Sequence, residues 1–450
     1  MSDLVLPSIT DIFWRNPRRS RDELRARADD QLRRLLIHAA ENVPLYRDRW
    51  KQHGFDPRAL RSVDDLRHAP MVDKDIIVDA ADRAIDQRRL NETLDTMSTS
   101  GTSGRAITIR RVPAEMRLTR RSYLRSLLYV GGRPWHRAVT MASTWLAKKK
   151  GVIMSLIARA KYIHPRTPID EQIRTLREFR AQYLIGQTGG LYLLARELLR
   201  RGEPFPLRIV APTGATLMPE MRRTLRDAFS AEPRDLYGAV ELGAVSWQCR
   251  HGNYHLDADR MLVEIVDEAG NPVPIGQPGQ VVCTGLYNYT MPLIRYRLLD
   301  VAFLRPDICP CGITFPLMGD VRGRINDFLP TPRGDLVSPH YLYHIFDHAG
   351  GSPVKEWRII QHAIDELTYE YVPEENFNPK SLEIGMEAIR DRFGPGTRVT
   401  ALRVESVPMT PNGKRTCIVS LLKPGDQPGM RPWDAQAAAG MAGDYAIGAA

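Results

Sequence analysis

Helical and strand-like segments alternate over residues 107–211, and this alternation constrains the fold more than any other feature of the sequence. Apolar strand-like runs fall at 107–110, 137–142, 183–186 and 207–211, and helical patterns fall between them at 113–130, 170–182 and 189–201. Parallel strands need long crossover connections, which are usually helices. The pattern therefore predicts a layered α/β domain with a largely parallel sheet.

The regions on either side differ in pattern. Residues of about 20–80 are helical, with an amphipathic helix at 21–41 and a helix cap at Ser62. Short strands and turns over 254–304 indicate a β-rich subdomain. After Gly323 the pattern changes to a mixture of helices and strands. We predict a domain over 1–322, a junction at 323–327, a small α+β domain over 328–424 that includes helices at 338–348 and 379–393, and a flexible Gly/Ala/Pro-rich tail over 425–450.

Composition excludes several classes. The 450-residue chain has no apolar run of membrane-spanning length and begins without the pattern of a secretory signal, so we expect a cytoplasmic protein with no membrane partner. Five cysteines do not suggest a disulfide framework. The net charge of +10 comes without a nucleic-acid-binding motif, and it suits a protein that handles ATP and an anionic substrate.

Residues 97–111 (MSTSGTSGRAITIRR) place small hydroxyl residues and glycines before a strand. Such a loop can turn backbone N–H groups and hydroxyls toward an anion, and an arginine adds positive charge. A plain flexible loop is the alternative for this segment alone. The candidate phosphate ligands are Ser98, Thr99, Ser100, Gly101, Thr102, Ser103, Gly104 and Arg105.

Four further segments carry candidate chemistry. In DLYGAVELG, Tyr237 and Gly238 can border a planar base, and Glu241 can bind Mg²⁺ through its carboxylate. Asp300 ends a strand-like run and can accept hydrogen bonds from a ribose diol, and Arg324 follows at the domain junction, where it can reach ribose or phosphate. Lys414 lies in the turn MTPNGKR. Each of these residues alone also fits an ordinary core, turn or solvent position.

In this order, the segments resemble the adenylate-forming acyl ligases over residues 25 to 422. The stretches NVPLY (42–46) and SVDDLRHAPMVD (62–73) are similar to the phenylacetate–CoA ligase and capsule-biosynthesis branch. The resemblance implies a large adenylate-forming domain and a small mobile C-terminal domain that rotates about a hinge at Asn326 and Asp327. It also places Gly214 and Ala215 beside the adenine.

The resemblance implies a two-step reaction. A small carboxylic acid, aromatic in the members that the family favours, attacks the α-phosphate of ATP, pyrophosphate leaves, and CoA then displaces AMP. Glu241 is expected to hold Mg²⁺, while Lys414 and Arg105 act as catalytic cations. Capture of the adenylate by an amine, and a catalytically idle nucleotide-binding relative, remain alternatives, and the chain is expected to be a monomer or a homodimer.

Three positions depart from the family pattern. Arg105-Ala106 stands where Lys-Pro is usual, Asn326 stands where Asp is usual, and QTGG (187–190) replaces a Pro-Ser element. The last change is expected to reshape the acyl pocket, for which Trp145, Tyr183, Gln187 and Gly189 are the candidate walls. Core packing is the alternative for the aromatic residues.

The cysteines suggest a second site. Cys249 and His255 precede Cys309 and Cys311 by fifty-odd residues, and three thiolates with one imidazole suit a closed tetrahedral zinc site. His251 is the rival ligand. Separate cysteines or a redox pair are the alternatives, and Cys283 and Cys417 are expected in the core.

Overall fold

A computed structural model describes residues 6–98, 106–142, 159–324, 328–334, 336–337, 341–342, 354–374, 377–408 and 417–422. Its longer helices are α1 (Arg21–Asn42), α2 (Pro44–Gln52), α3 (Lys74–Ala80), α4 (Pro113–Tyr129), α5 (Ile169–Glu178), α6 (Thr188–Arg200), α7 (Pro219–Phe229) and α8 (Pro379–Phe393). Short 3₁₀ or π turns occur at Asp11–Arg15, Asn16–Arg18, Pro57–Ala59, Val63–His68, Ala81–Ala84 and Gln87–Arg89.

Twenty strands are present in the part of the chain that the structure describes. The first ten are β1 (Asp95–Ser98), β2 (Thr108–Arg111), β3 (Ala138–Met141), β4 (Ala160–Ile163), β5 (Tyr183–Gln187), β6 (Ile209–Thr213), β7 (Leu236–Ala239), β8 (Gly243–Gln248), β9 (Tyr254–Leu256) and β10 (Met261–Val266). The others are β11 (Gly279–Gly285), β12 (Tyr296–Ala302), β13 (Leu304–Arg305), β14 (Leu317–Met318), β15 (Leu329–Pro330), β16 (Leu336–Val337), β17 (Val354–Ala363), β18 (Glu366–Pro373), β19 (Arg398–Arg403) and β20 (Ile418–Ser420).

The main sheet has nine strands in the order β13-β14-β9-β8-β7-β6-β5-β3-β4. Strands β3 to β7 pair in parallel, and β8, β9, β14 and β13 continue the sheet antiparallel. An apolar core formed by β3, β5, β6 and the helices α5, α6 and α7 covers one face. The α/β class predicted from the alternating segments is therefore confirmed.

The N-terminal helices cover a second, antiparallel sheet of β10, β11 and β12. Helix α1 begins with a capping box, in which Ser20 accepts from the Glu23 amide and Glu23 accepts from the Ser20 amide. Pro44 starts α2 because its fixed φ suits the first helical turn. The predicted cap at Ser62 is confirmed, and it begins the turn Val63–His68.

The C-terminal residues form a four-stranded sheet in the order β19-β18-β17-β20, on which α8 packs. Helix α8 has the bounds predicted from the sequence. Most of the predicted helix 338–348 and all of the tail 425–450 lie outside the described residues. No helix in the described part of the chain is long and apolar enough to cross a membrane.

Candidate active site

The candidate phosphate loop lies between the strands of the hairpin β1–β2. Ser98 pairs with Thr108 at the end of this hairpin, and their hydroxyl oxygens are 2.8 Å apart. The remaining predicted loop residues, Thr99, Ser100, Gly101, Thr102, Ser103, Gly104 and Arg105, lie outside the described residues. The structure therefore describes the two strands from which the loop leaves and returns.

Three predicted nucleotide-binding residues meet where β7, β12 and the junction approach one another. The Tyr237 hydroxyl donates to Asp300 Oδ2 at 2.7 Å, and Arg324 Nε lies 3.4 Å from Asp300 Oδ1. Asp300 and Arg324 also form an isolated backbone bridge. Asp300 is 9 % exposed, whereas the Arg324 side chain is 57 % exposed. One buried carboxylate is thus oriented by a tyrosine hydroxyl and an exposed guanidinium.

Burial raises the pKa of Tyr237 well above its ordinary value, and the Asp300 carboxylate raises it further. The hydroxyl consequently stays protonated and acts as a donor to Asp300 at neutral pH. Gly238 follows Tyr237 in β7, and a Cβ added to Gly238 would lie 2.5 Å from the Gly243 carbonyl oxygen. Only glycine fits this close approach of β7 to β8.

Glu241 lies in the turn between β7 and β8, and it is held from two sides. The Tyr296 hydroxyl donates to Glu241 Oε1 at 3.2 Å, and Arg111 Nη2 donates to the Glu241 carbonyl at 2.5 Å. Glu241 is half-buried, and its Oε2 makes no hydrogen bond to a described residue. A carboxylate oxygen is the kind of hard ligand that Mg²⁺ prefers. The sequence motifs did not identify Tyr296 or Arg111.

Gly214 and Ala215 follow β6, next to the strand that carries Tyr237. Gly214 has φ +79, a left-handed conformation that favours glycine, and the Thr188 hydroxyl donates to the Ala215 carbonyl at 3.0 Å. Residues Thr213 and Leu236 pair in the sheet. Both predicted adenine-side residues therefore lie at the carboxyl end of a parallel strand, where ligands of open α/β sheets bind.

The predicted acyl-pocket residues separate into different places. Gln187 ends β5 and Gly189 lies in the first turn of α6, so both are at the carboxyl edge of the sheet. Tyr183 begins β5 at the opposite end and is 3 % exposed within an apolar core. Tyr183 was a candidate wall with core packing as its alternative; its place at the amino end of β5, beneath α4, favours the alternative. Trp145 lies outside the described residues.

Three other predicted residues cannot be placed. The hinge residues Asn326 and Asp327 and the catalytic candidate Lys414 lie outside the described residues.

The cysteine–histidine candidates form one cluster. The ligand atoms of Cys249, His255, Cys309 and Cys311 all lie within 4.8 Å of one another. The Cys249 and Cys309 sulfurs are 3.5 Å apart, and Cys311 Sγ lies 3.3 Å from His255 Nε2. All five cysteines of the chain are free. Three sulfurs and one imidazole nitrogen at this spacing fit a tetrahedral zinc site.

Neighbouring groups set the protonation of His255 and the hydrogen bonding of Cys309 in a way that suits metal binding. His255 Nδ1–H donates to the Phe315 carbonyl at 3.3 Å, which leaves Nε2 with a lone pair toward the sulfurs. Burial lowers the pKa of His255 to about 4, so its imidazole is neutral at pH 7. The Asn253 amide donates to Cys309 Sγ at 3.2 Å. His251 is exposed and accepts from Arg250 instead, which favours His255 over its rival.

Known proteins are similar to the chain in sequence, one of them over nearly its full length. A phenylacetate–coenzyme A ligase of Thermus thermophilus is 28% identical over 424 residues, 91% of this chain and 94% of that protein. The protein CapK of Staphylococcus aureus is 23% identical over 259 residues, 56% of this chain and 55% of CapK. A family profile described as the CapK C-terminal domain matches residues 329–420.

A solved structure shows the same fold. A 2-hydroxyisobutyryl-CoA ligase in the postadenylation state matches with a TM-score of 0.76 and 20% identity, over 94% of this chain and 95% of that chain. The chain therefore shares the fold of this CoA ligase, which is the adenylate-forming fold that its motifs predicted. In sequence it is similar to phenylacetate–CoA ligases and to CapK, as the stretches at 42–46 and 62–73 predicted.

Proposed function

We propose that the chain activates a small carboxylic acid with ATP as an acyl-adenylate and then transfers the acyl group to CoA. The observation that carries this proposal is the contact of Tyr237, Asp300 and Arg324, beside the turn that presents Glu241. These groups offer an aromatic ring, a ribose acceptor, a cation and a metal-binding carboxylate. The similarity to phenylacetate–CoA ligases supports an aromatic acid as the substrate and CoA as the acyl acceptor.

The first step joins the acid to AMP. A carboxylate oxygen attacks the α-phosphorus of ATP, the bond to the bridging oxygen of the β-phosphate breaks, and pyrophosphate leaves. Asp300 is positioned to accept from the ribose diol, with Tyr237 and Arg324 orienting it. Mg²⁺, held by Glu241, would neutralise charge on the phosphates. The step depends on positioning and charge neutralisation more than on acid–base chemistry.

The second step releases AMP. The CoA thiolate attacks the acyl carbon, a carbon–sulfur bond forms, and the acyl–oxygen bond to AMP breaks. We infer that residues 323–327 are the hinge between domains over 1–322 and 328–424, and that Lys414 supplies a cation to the first step. Rotation about such a hinge would present different residues of the small domain to one site in the two steps.

We also propose that Cys249, His255, Cys309 and Cys311 bind a structural zinc ion. Cys249 follows β8 directly and His255 lies in β9, so the metal would join these strands to the 309–311 loop. The other end of β8 follows the Glu241 turn. The zinc site is thus expected to stabilise the antiparallel part of the main sheet without taking part in the reaction.

The function is tested by carboxylate-dependent exchange of labelled pyrophosphate into ATP, using a panel of aromatic and short aliphatic acids. We expect exchange with at least one acid, at a rate that falls about 100-fold in Glu241→Gln. Arg110→Met is the matched control, because this neighbouring arginine of β2 has a side chain that is 41 % exposed and pairs with Asp82. Absence of acid-dependent exchange across the panel would favour an idle nucleotide-binding relative. Adding CoA or amines then identifies the acceptor by product mass.

A further inference from the structure

The Glu241 turn is held by two buried arginines through its main-chain carbonyls. Arg111 Nη2 donates to the Glu241 carbonyl, while Arg260 donates to the Leu242 carbonyl at 2.8 Å and to the Ala244 carbonyl at 2.5 Å. Arg111 is fully buried and Arg260 is 3 % exposed. Guanidinium groups with several fixed donors can hold such a turn in one conformation.

The two arginines have different charge partners. Arg260 Nε donates to Asp257 at 2.7 Å, and Asp257 belongs to a buried network with Arg125 and Ser122. Arg111 makes no ion pair of this kind with a described residue. Its Nη1 donates to the Thr119 hydroxyl at 3.0 Å, and its Nε makes no hydrogen bond with any described residue. Burial, together with the charge of the nearby Arg260, lowers the pKa of Arg111 to about 10.

Carboxylates near Arg111 compensate its charge at longer range. Glu115 lies on the next helix, and its Oε1 accepts from the Tyr289 and Thr290 amides at 2.8 and 2.9 Å. Glu115 Oε2 has no hydrogen-bond partner among the described residues. A buried guanidinium with an unpaired donor is costly for folding, and an apolar side chain of similar length would often serve stability equally well. Such a replacement would lose the hydrogen bond to the Glu241 carbonyl together with the one to the Thr119 hydroxyl.

Arg111 is also the last residue of β2, the strand that follows the candidate phosphate loop. Its side chain therefore joins two parts of the site that are 130 residues apart in sequence. On the basis of the proposed function, we infer that Arg111 is a positioning residue for adenylation. It fixes the Glu241 turn to the β1–β2 hairpin, so that the Mg²⁺-binding carboxylate faces the phosphates.

The test compares Arg111→Met, Arg111→Lys and the control Arg110→Met. One readout is the rise in melting temperature caused by ATP with EDTA and by ATP with Mg²⁺, since a ligand that binds the folded state stabilises it. Arg111→Met should keep the rise with ATP and EDTA, because Tyr237 and Asp300 are intact. It should lose most of the additional rise with Mg²⁺, while Arg110→Met keeps both.

The second readout is pyrophosphate exchange. We expect kcat to fall about 10- to 100-fold in Arg111→Met, as for a reacting group misplaced by about 1 Å. Arg111→Lys should recover part of this loss, because lysine can donate to the Glu241 carbonyl but cannot reproduce the forked contact. The double variant Arg111→Met/Glu241→Gln should be no slower than Glu241→Gln alone, because both changes act through the same contact, that of the residue 241 side chain with Mg²⁺.

Two results would overturn the inference: a Mg²⁺-dependent melting shift in Arg111→Met equal to that of Arg110→Met, or losses that multiply in the double variant. If Arg111→Met fails to fold, Arg111→Lys is compared with Arg110→Met in the same two assays. If the wild-type chain shows no acid-dependent exchange, the proposed function fails, and the melting shifts still decide the role of Arg111.

Discussion

Replacement of Asp300 by alanine should weaken ATP binding and abolish discrimination of the ribose. The Asp300 carboxylate is buried, and both of its oxygens have partners, Tyr237 on one and Arg324 on the other. In the proposed complex it accepts from the two ribose hydroxyls. Hydrogen bonds to a charged group contribute about 1.5–3 kcal/mol each. Competition with water brings the expected total loss to about 2–4 kcal/mol, or about 30- to 1,000-fold in affinity.

Isothermal titration with ATP measures this loss, and 2′-deoxy-ATP separates the ribose contact from other effects. The wild-type chain should bind ATP more tightly than 2′-deoxy-ATP, and Asp300→Ala should bind the two almost equally. Tyr237→Phe is the matched variant, since it keeps the ring and removes the 2.7 Å hydrogen bond. We expect it to lose about 1 kcal/mol and to keep the discrimination. Affinity for ATP within twofold of wild type in a folded Asp300→Ala protein would refute the assignment.

Three further predictions concern other residues. Lys414→Ala should slow adenylation by about 100-fold or more while ATP affinity changes little, as titration and exchange would show; equal losses would contradict a catalytic role. Elemental analysis of the purified chain should find one zinc ion. Cys311→Ser should lose this ion and melt roughly 5 °C lower, whereas the control Cys417→Ser should keep it. A wild-type chain without zinc would exclude the site. Burial raises the pKa of Asp235 to about 6, so the ionised carboxylate opposes folding. The free energy of unfolding therefore falls as pH rises from about 4 to 6, by up to about 3 kcal/mol from this group. Asp235→Asn should therefore be more stable than wild type at pH 7 and equal to it near pH 4 in urea unfolding, and an identical pH dependence in both proteins would refute this.

Much of the fold could be predicted because local signals and tertiary structure agree. Helix α8 starts after an asparagine cap and ends at a glycine, so its bounds follow from the sequence. The parallel strands are short apolar runs separated by amphipathic helices, which is the pattern of a sheet covered on both faces. The order of the strands β13, β14 and β9 could not be predicted, because it depends on long-range pairing of segments of only two or three residues.

Candidate site residues could be named where residue type alone indicates the chemistry. Tyr237, Asp300 and Arg324 come together as the motifs suggested, and the zinc candidates form one cluster. Pocket wall and core packing could not be separated for Tyr183, because a tyrosine in an apolar strand can face core or ligand, and only strand direction decides between them. Arg111 was missed, since an arginine next to Arg110 in a basic sequence gives no sign that one of them is buried.

Detection of the acyl-adenylate tests the central claim most directly. The wild-type chain is incubated with ATP, Mg²⁺ and the acid that supports exchange, and the products are identified by mass before and after CoA is added. We predict an acyl-adenylate with release of pyrophosphate, followed by a CoA thioester and AMP. Formation of ADP and phosphate without an adenylate would contradict the reaction that we assign to Tyr237, Asp300, Arg324 and Glu241.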